Sequence, residues 1–212
     1  AVARDLALAE HTGARIHFRG ISTAKSSQMI ARAQNDGLNV TADVAAHQLH
    51  LTEQDIDPFN SQCHVRPPLR TQQDKEALRQ AVATGAVAAI CSDHQPHEAD
   101  AKLAPFPSTE PGISGLETLL PLTLKLVEDG LISLPEAISR ITSGPADILG
   151  IEAGRAGVDN RADITVFDPE SHWVLTPEQM ISEGKNTPFM NWHFSGQVTH
   201  TLFEGRIVYN KS

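Results

Sequence analysis

The alternation of strand-like and helix-like segments between Arg15 and Ser92 constrains this chain more than any other feature. Arg15 to Ile21 (RIHFRGI) alternates apolar and polar residues as a strand does, and Ser22-Thr23 follows as a helix N-cap signal. Helix-compatible residues run from Ala24 to Asn35 and stop at Asp36-Gly37. Leu38 to Ala45 (LNVTADVA) is the next strand, rich in β-branched residues. Gln72 to Thr84 reads as a helix ended by Gly85, and Ala86 to Ser92 as a short, almost wholly apolar strand. Apolar runs of this kind suit parallel strands buried on both faces. Strand, helix, strand, helix, strand therefore predicts right-handed βαβ units and an α/β fold.

The flanks extend this reading. Val2, Leu6 and Ala9, with Leu8, recur at helical spacing, and His11-Thr12-Gly13 ends the run. The chain opens on Ala1 directly into that helix, so further residues are expected upstream. Beyond Ser92 come a Pro/Gly-rich loop (Ala101 to Ser114) and helices over Leu116–Glu128, Leu134–Ile141 and Pro145–Leu149. The tail changes character: Ala162 to Phe167, Val198 to Phe203 and Arg206 to Tyr209 read as short strands, with Glu204-Gly205 as a hairpin turn. The expected organisation is an α/β barrel segment over 1–150 and a small β appendage over 151–212, with the boundary between Gly150 and Arg161. A closed barrel of this kind has eight strands. Three cannot close one, so the remainder is expected upstream or from elsewhere.

Composition narrows the function. The 212 residues carry a formal charge of −9 and a pI near 5.5, which argues against nucleic acid and against an anionic membrane surface. The longest strictly apolar stretch, Ala86 to Cys91, is far short of the roughly 20 residues that cross a bilayer. Cys63 and Cys91 make no disulfide framework, and with no signal-peptide pattern the expected location is the cytoplasm.

The chemistry-bearing stretch is Ser92-Asp93-His94-Gln95-Pro96-His97, where a buried parallel strand runs out into its loop. In an α/β barrel that is the face on which active sites are built. A carboxylate there can ligate a metal, take a proton from bound water, or both. An Asp that caps the next helix, beside two surface histidines, explains the same pattern equally well. His17, His47, His50 and His64 are other candidates, but the ten histidines show no finger or ribbon spacing. The simple reading of Cys63 and Cys91 is small buried hydrophobes. Val65 to Arg70 (VRPPLR) is a stiff basic loop that serves either as a rigid connector or as a guanidinium contact for an anion.

Taken together these segments resemble the dihydroorotases of the amidohydrolase superfamily, and in particular the kind that associates with aspartate transcarbamoylase. Ile16 to Thr23 (IHFRGIST) resembles H-x-x-H-[IV]-S-T, and Asp43 to Leu49 (DVAAHQL) resembles E-V-[ST]-P-H-H-L. Val65 to Arg70 resembles N-P-P-L-R, Ser92 to His97 resembles T-D-H-A-P-H, and Pro111 to Thr118 (PGISGLET) resembles F-G-I-x-G-L-E-T. Lys185 to Phe189 and Gly205 to Tyr209 are similar to the family's closing β segment. The resemblance implies the last three strands of a TIM-like (β/α)8 barrel plus part of a small β domain. It implies interconversion of carbamoyl-aspartate and dihydroorotate at a zinc site of the barrel mouth. It places the catalytic and metal-binding carboxylate at Asp93, and substrate contacts at His97, at Arg66 and at the Pro111-Gly112 turn.

Two departures weigh against an intact site. The family's zinc-binding histidine falls on Gly20, and the substrate-binding Asn of N-P-P-L-R falls on Arg66; Gln48 replaces the second His of P-H-H-L. These imply a vestigial metal site that holds no zinc, with Arg66, helped by Arg19, pairing with Asp93 in the metal's place. The expected protein is then a catalytically silent, oligomeric partner of aspartate transcarbamoylase. The competing expectations are a working zinc hydrolase using His17 or His47 as substitute ligand, and a related cyclic amidase of the hydantoinase or allantoinase type.

Overall fold

The computed structural model describes residues 1–211. Helix α1 (Val2–Thr12) ends on Gly13, left-handed at φ 68°, and leads into strand β1 (Ile16–Phe18). The strand is shorter than Arg15 to Ile21 because the backbone turns left-handed at Gly20 (φ 64°) and leaves the ladder. Helix α2 (Ala24–Asn35) starts where Thr23 accepts the backbone N–H of Ser26. Strand β2 (Val40–Ala45) follows, then a long connection of 3-10 turns. Helix α3 (Gln72–Thr84) is capped by Thr71 at one end and by left-handed Gly85 at the other. Strand β3 (Ala89–Cys91) is the core of the apolar run, the first residues of which form the turn out of α3.

The three strands form one parallel sheet in the order β1-β2-β3. Register pairs His17 with Thr41, Asp43 with Ala89 and Ala45 with Cys91. Side chains alternate across the sheet. Val40, Ala42 and Val44 are buried on one face together with Ile30 of α2 and Leu78 and Val82 of α3. His17, Thr41, Asp43 and Cys91 share the other. Barrel-type packing thus sends one face to the helices and keeps the polar set for the interior.

Helices α4 (Leu116–Glu128), α5 (Leu134–Ile141) and α6 (Ser143–Leu149) come next. Ser133 and Glu136 form a reciprocal capping box at the start of α5. Helix α6 begins two residues before Pro145, which occupies its first turn, where a missing N–H costs nothing. Strands β4 (Ile164–Val174), β5 (His193–Phe203) and β6 (Arg206–Asn210) make a separate antiparallel sheet in that order. The first two are longer than their apolar cores suggest. Pairing of β4 with β5 is interrupted between Asp168 and His172, around Pro169, and then resumes. The Glu204-Gly205 turn has both φ angles positive, 49° and 78°, as a two-residue hairpin requires. Trp173 donates its indole N–H to the Gly196 carbonyl at 3.1 Å, and Leu175, Phe189 and Phe194 are buried in the shared apolar core.

Candidate functional site

The inner face of the parallel sheet is organised around one carboxylate. Asp43, 8% exposed, lies in the middle strand and reaches both neighbours. Its Oδ1 accepts the Gly20 backbone N–H at 2.6 Å and the Cys91 thiol at 3.5 Å; its Oδ2 accepts from His17 Nε2 at 2.9 Å. A carboxylate has no proton to give, so His17 donates from Nε2, and in the neutral ring Nδ1 accepts from the Thr41 hydroxyl at 2.9 Å. Burial and the carboxylates of Asp43 and Asp93 push the Cys91 thiol up to about 12. That thiol is a proton donor in a network, not a nucleophile.

Asp93 stands at the end of β3, left-handed at φ 43°, with 13% of its side chain exposed. Its partner is Arg19, whose Nη2 lies 3.1 Å from Oδ1. The ion pair spans the mouth from the end of β1 to the end of β3. Arg66 does not join it. That side chain is exposed and lines a separate groove of about 250 Å³ with Ile56, Cys63, His64 and Phe106. The expected Arg66–Asp93 pair is therefore replaced by Arg19–Asp93, because Arg19 leaves β1 beside the mouth whereas the 61–70 loop carries Arg66 outward.

The remaining expected contacts converge on one clip. His97 Nε2 donates to the Pro111 carbonyl at 3.2 Å. Asn186, buried in the tail, accepts the His97 backbone N–H at 2.7 Å and donates to the Gln95 and Gly112 carbonyls at 2.9 and 3.1 Å. Gly112 N–H in turn bonds the His64 carbonyl at 2.8 Å. A Cβ on Gly112 would sit 2.5 Å from Gln95 Cβ, so only glycine allows the two loops this approach. His94 Nδ1 accepts the Gly115 N–H, which makes it a loop anchor. Asp43 and Asn186 are the organising residues that the sequence reading passed over. A lone acid inside an otherwise apolar, β-branched strand was the available signal for the first; the second lies in the Lys185 to Phe189 segment that carried the resemblance, which gave it no role.

As a metal centre this set is incomplete. Gly20 offers no side chain, both nitrogens of His17 are engaged, and a guanidinium already occupies Asp93. His47 is 2% exposed, and its Nε2 has no partner. Burial lowers its pKa to about 4, so the ring is neutral at pH 7. Among the described residues no three His, Cys, Asp or Glu side chains converge as metal ligands. The residues present do not fit a zinc ion by themselves. A larger hollow of about 610 Å³ lies by α6, far along the chain from these residues, and its Arg155 and Asp147 already pair at 2.8 Å.

Parallel strands that gather acids and histidines at their carboxyl ends mark the active face of an enzyme-type α/β barrel. The chain belongs to the amidohydrolase family, whose model matches residues 3–208. It is 49% identical over 99% of its length to a "dihydroorotase-like protein" of Pseudomonas aeruginosa, and 44% identical over its full length to a "dihydroorotase" of Syntrophotalea carbinolica. It spans about half the length of these relatives, 49% and 50% respectively. The L-hydantoinase (dihydropyrimidinase) of Arthrobacter aurescens superposes on the whole chain with a TM-score of 0.93 at 26% identity, over 48% of that structure. The α/β architecture is that of the hydantoinase-type barrel enzymes, of which this chain covers part. No helix among the described residues is long and apolar enough to cross a membrane.

Proposed function

We propose that this chain is part of a cytoplasmic dihydroorotase-like protein of pyrimidine synthesis that has lost hydrolysis and serves as a structural partner of aspartate transcarbamoylase. In this reading residues 1–150 supply the end of the barrel and 151–212 part of the small β domain. The observation that carries it is a mouth whose acids are satisfied from within the chain. Asp43 is taken by Gly20, His17 and Cys91, and Asp93 by Arg19. In the working family a zinc ion at this mouth binds and activates water. Here the guanidinium of Arg19 would have to leave before a divalent cation could take Asp93, and the cation would then meet Gly20 where the family has a histidine. What these residues do instead is hold three strand ends together. His97 and the Pro111-Gly112 turn, where the resemblance puts substrate contacts, are held to each other by the His97–Pro111 hydrogen bond.

The test is zinc content and dihydroorotate turnover of the full-length protein, beside a Gly20→His, Arg19→Ala double variant. We expect the natural protein to hold far less than one zinc per chain and to turn nothing over, and the variant to gain zinc. Stoichiometric zinc with turnover in the natural protein would establish a working hydrolase. The likeness to L-hydantoinase favours one competing reading, a cyclic amidase, and hydrolysis of hydantoin or dihydrouracil by the natural protein would establish that instead.

A further inference from the structure

Two loops beyond the mouth carry an exposed apolar cluster that the site does not use. Phe59, on the loop after β2, is 77% exposed, and Leu103, on the loop after β3, is 79% exposed. The Phe59 ring lies 6.5 Å from that of Phe106, which packs on the His64 ring at 4.8 Å. Phe59 is left-handed, at φ 65°, a conformation that a bulky side chain rarely adopts. A strained backbone that exposes a large aromatic is held for some purpose other than the chain's own core.

The loops are fastened to each other. Ser61 Oγ donates to the Lys102 carbonyl at 2.7 Å. Thr109 spends its hydroxyl proton on the Phe106 carbonyl and so accepts from His64 Nδ1–H at 2.8 Å. The knob is therefore pre-organised, and its immobilisation on binding costs little. Its surroundings are acidic: Asp57, Glu98, Asp100 and Glu110 are all exposed. Of the three Lys and Arg residues in the two loops, Lys102 is 5% exposed with its ammonium 2.6 Å from the Glu110 carbonyl, Arg70 is half-buried, and Arg66 alone is exposed. Arg66, on the groove beside Phe106, is one exposed cation against these four acids, so the surroundings stay net negative.

We propose that Phe59 and Leu103 form a docking knob for a protein partner that offers an apolar socket rimmed with Lys or Arg. A second copy of this chain is disfavoured, because like-charged rims repel and the chain's net charge is −9. The proposal rests on the scaffold reading above, which makes aspartate transcarbamoylase the partner to test.

The experiment measures binding of the full-length protein to the carbamoylase of its own organism, at low and high salt, for three proteins: the natural one, Phe59→Ser with Leu103→Ser, and Asp57→Lys with Asp100→Lys. We expect the serine pair to weaken binding about tenfold or more, as loss of central anchors does. The lysine pair should weaken it at low salt and flatten its salt dependence. Natural protein that binds, with both variants binding equally well, overturns the knob and leaves the scaffold reading standing. Natural protein that does not bind overturns both. A fall of many degrees in the thermal midpoint of the serine pair means the side chains pack within their own protein, and a drop in self-association means the partner is a second copy; either result overturns the proposal.

Discussion

Asp43 holds three strands with one side chain, and the cost of its removal should show that. Alanine there leaves His17 Nε2–H and the Gly20 N–H without acceptors in a poorly solvated place, an expected loss of about 2–4 kcal/mol by urea denaturation. A loss under about 0.5 kcal/mol would mean that water replaces the carboxylate. His47 gives a different signature, in pH. Its folded pKa of about 4 lies below its ordinary 6.5, so folding favours the neutral ring. That contribution is complete above pH 6.5 and drains as pH falls toward 4, by about 1.4 kcal/mol per pH unit and roughly 3 kcal/mol over the window. His47→Leu, which removes the titrating group and keeps an apolar side chain, should flatten the fall in urea midpoint between pH 6.5 and 4.5. Equal slopes in both proteins would show that His47 does not titrate in that range.

At the scale of elements, legibility followed locality. Helices α2, α3 and α5 fall on the bounds their sequences suggest, because Thr23, Thr71, Ser133 and Gly85 fix ends through contacts within a few residues; α4 does so without a side-chain cap at its start. Strand bounds came less well, since β1 stops where Gly20 turns and β4 continues past Pro169 only because β5 lies beside it. The site divides the same way. Asp93 at a strand end was readable from one motif, whereas its pairing with Arg19 rather than Arg66 depends on where a 3-10-rich loop of 26 residues, 46–71, comes to rest. The Asn186 clip joins positions 74 to 91 residues apart, and no local pattern encodes it. Asn186→Ala should therefore speed hydrogen exchange at the His97 amide, which loses its acceptor, and lower stability by about 2–3 kcal/mol. Gly112→Ala should cost at least as much, because the new methyl meets Gln95 at 2.5 Å. If the His97 amide stays as protected as before in Asn186→Ala, another acceptor has taken over.

The whole molecule has a consequence that neither residues nor elements show alone. A parallel sheet of three strands presents two outer edges, along β1 and along β3, and each carries backbone N–H and C=O groups that find no ladder partner among the described residues. Its inner face adds His17 and Thr41, polar and at least partly exposed, but the apolar surface around β4 and β6 adds Ile164, Val166, Phe203, Ile207 and Val208, each at least 43% exposed. Unpaired edges beside exposed apolar strands are templates for association. The amidohydrolase relatives are about twice as long as this chain, and the added length is where covering strands would come from. Residues 1–212 produced alone should therefore self-associate at micromolar concentration, with a light-scattering mass well above 22.9 kDa, and should unfold less cooperatively than the full-length protein. Protein with the remaining length present should lose that tendency, since pairing both edges removes the template. A stable, monodisperse 22.9 kDa monomer with a single sharp transition would mean that the three-stranded sheet is self-sufficient, with its edges protected by its own loops.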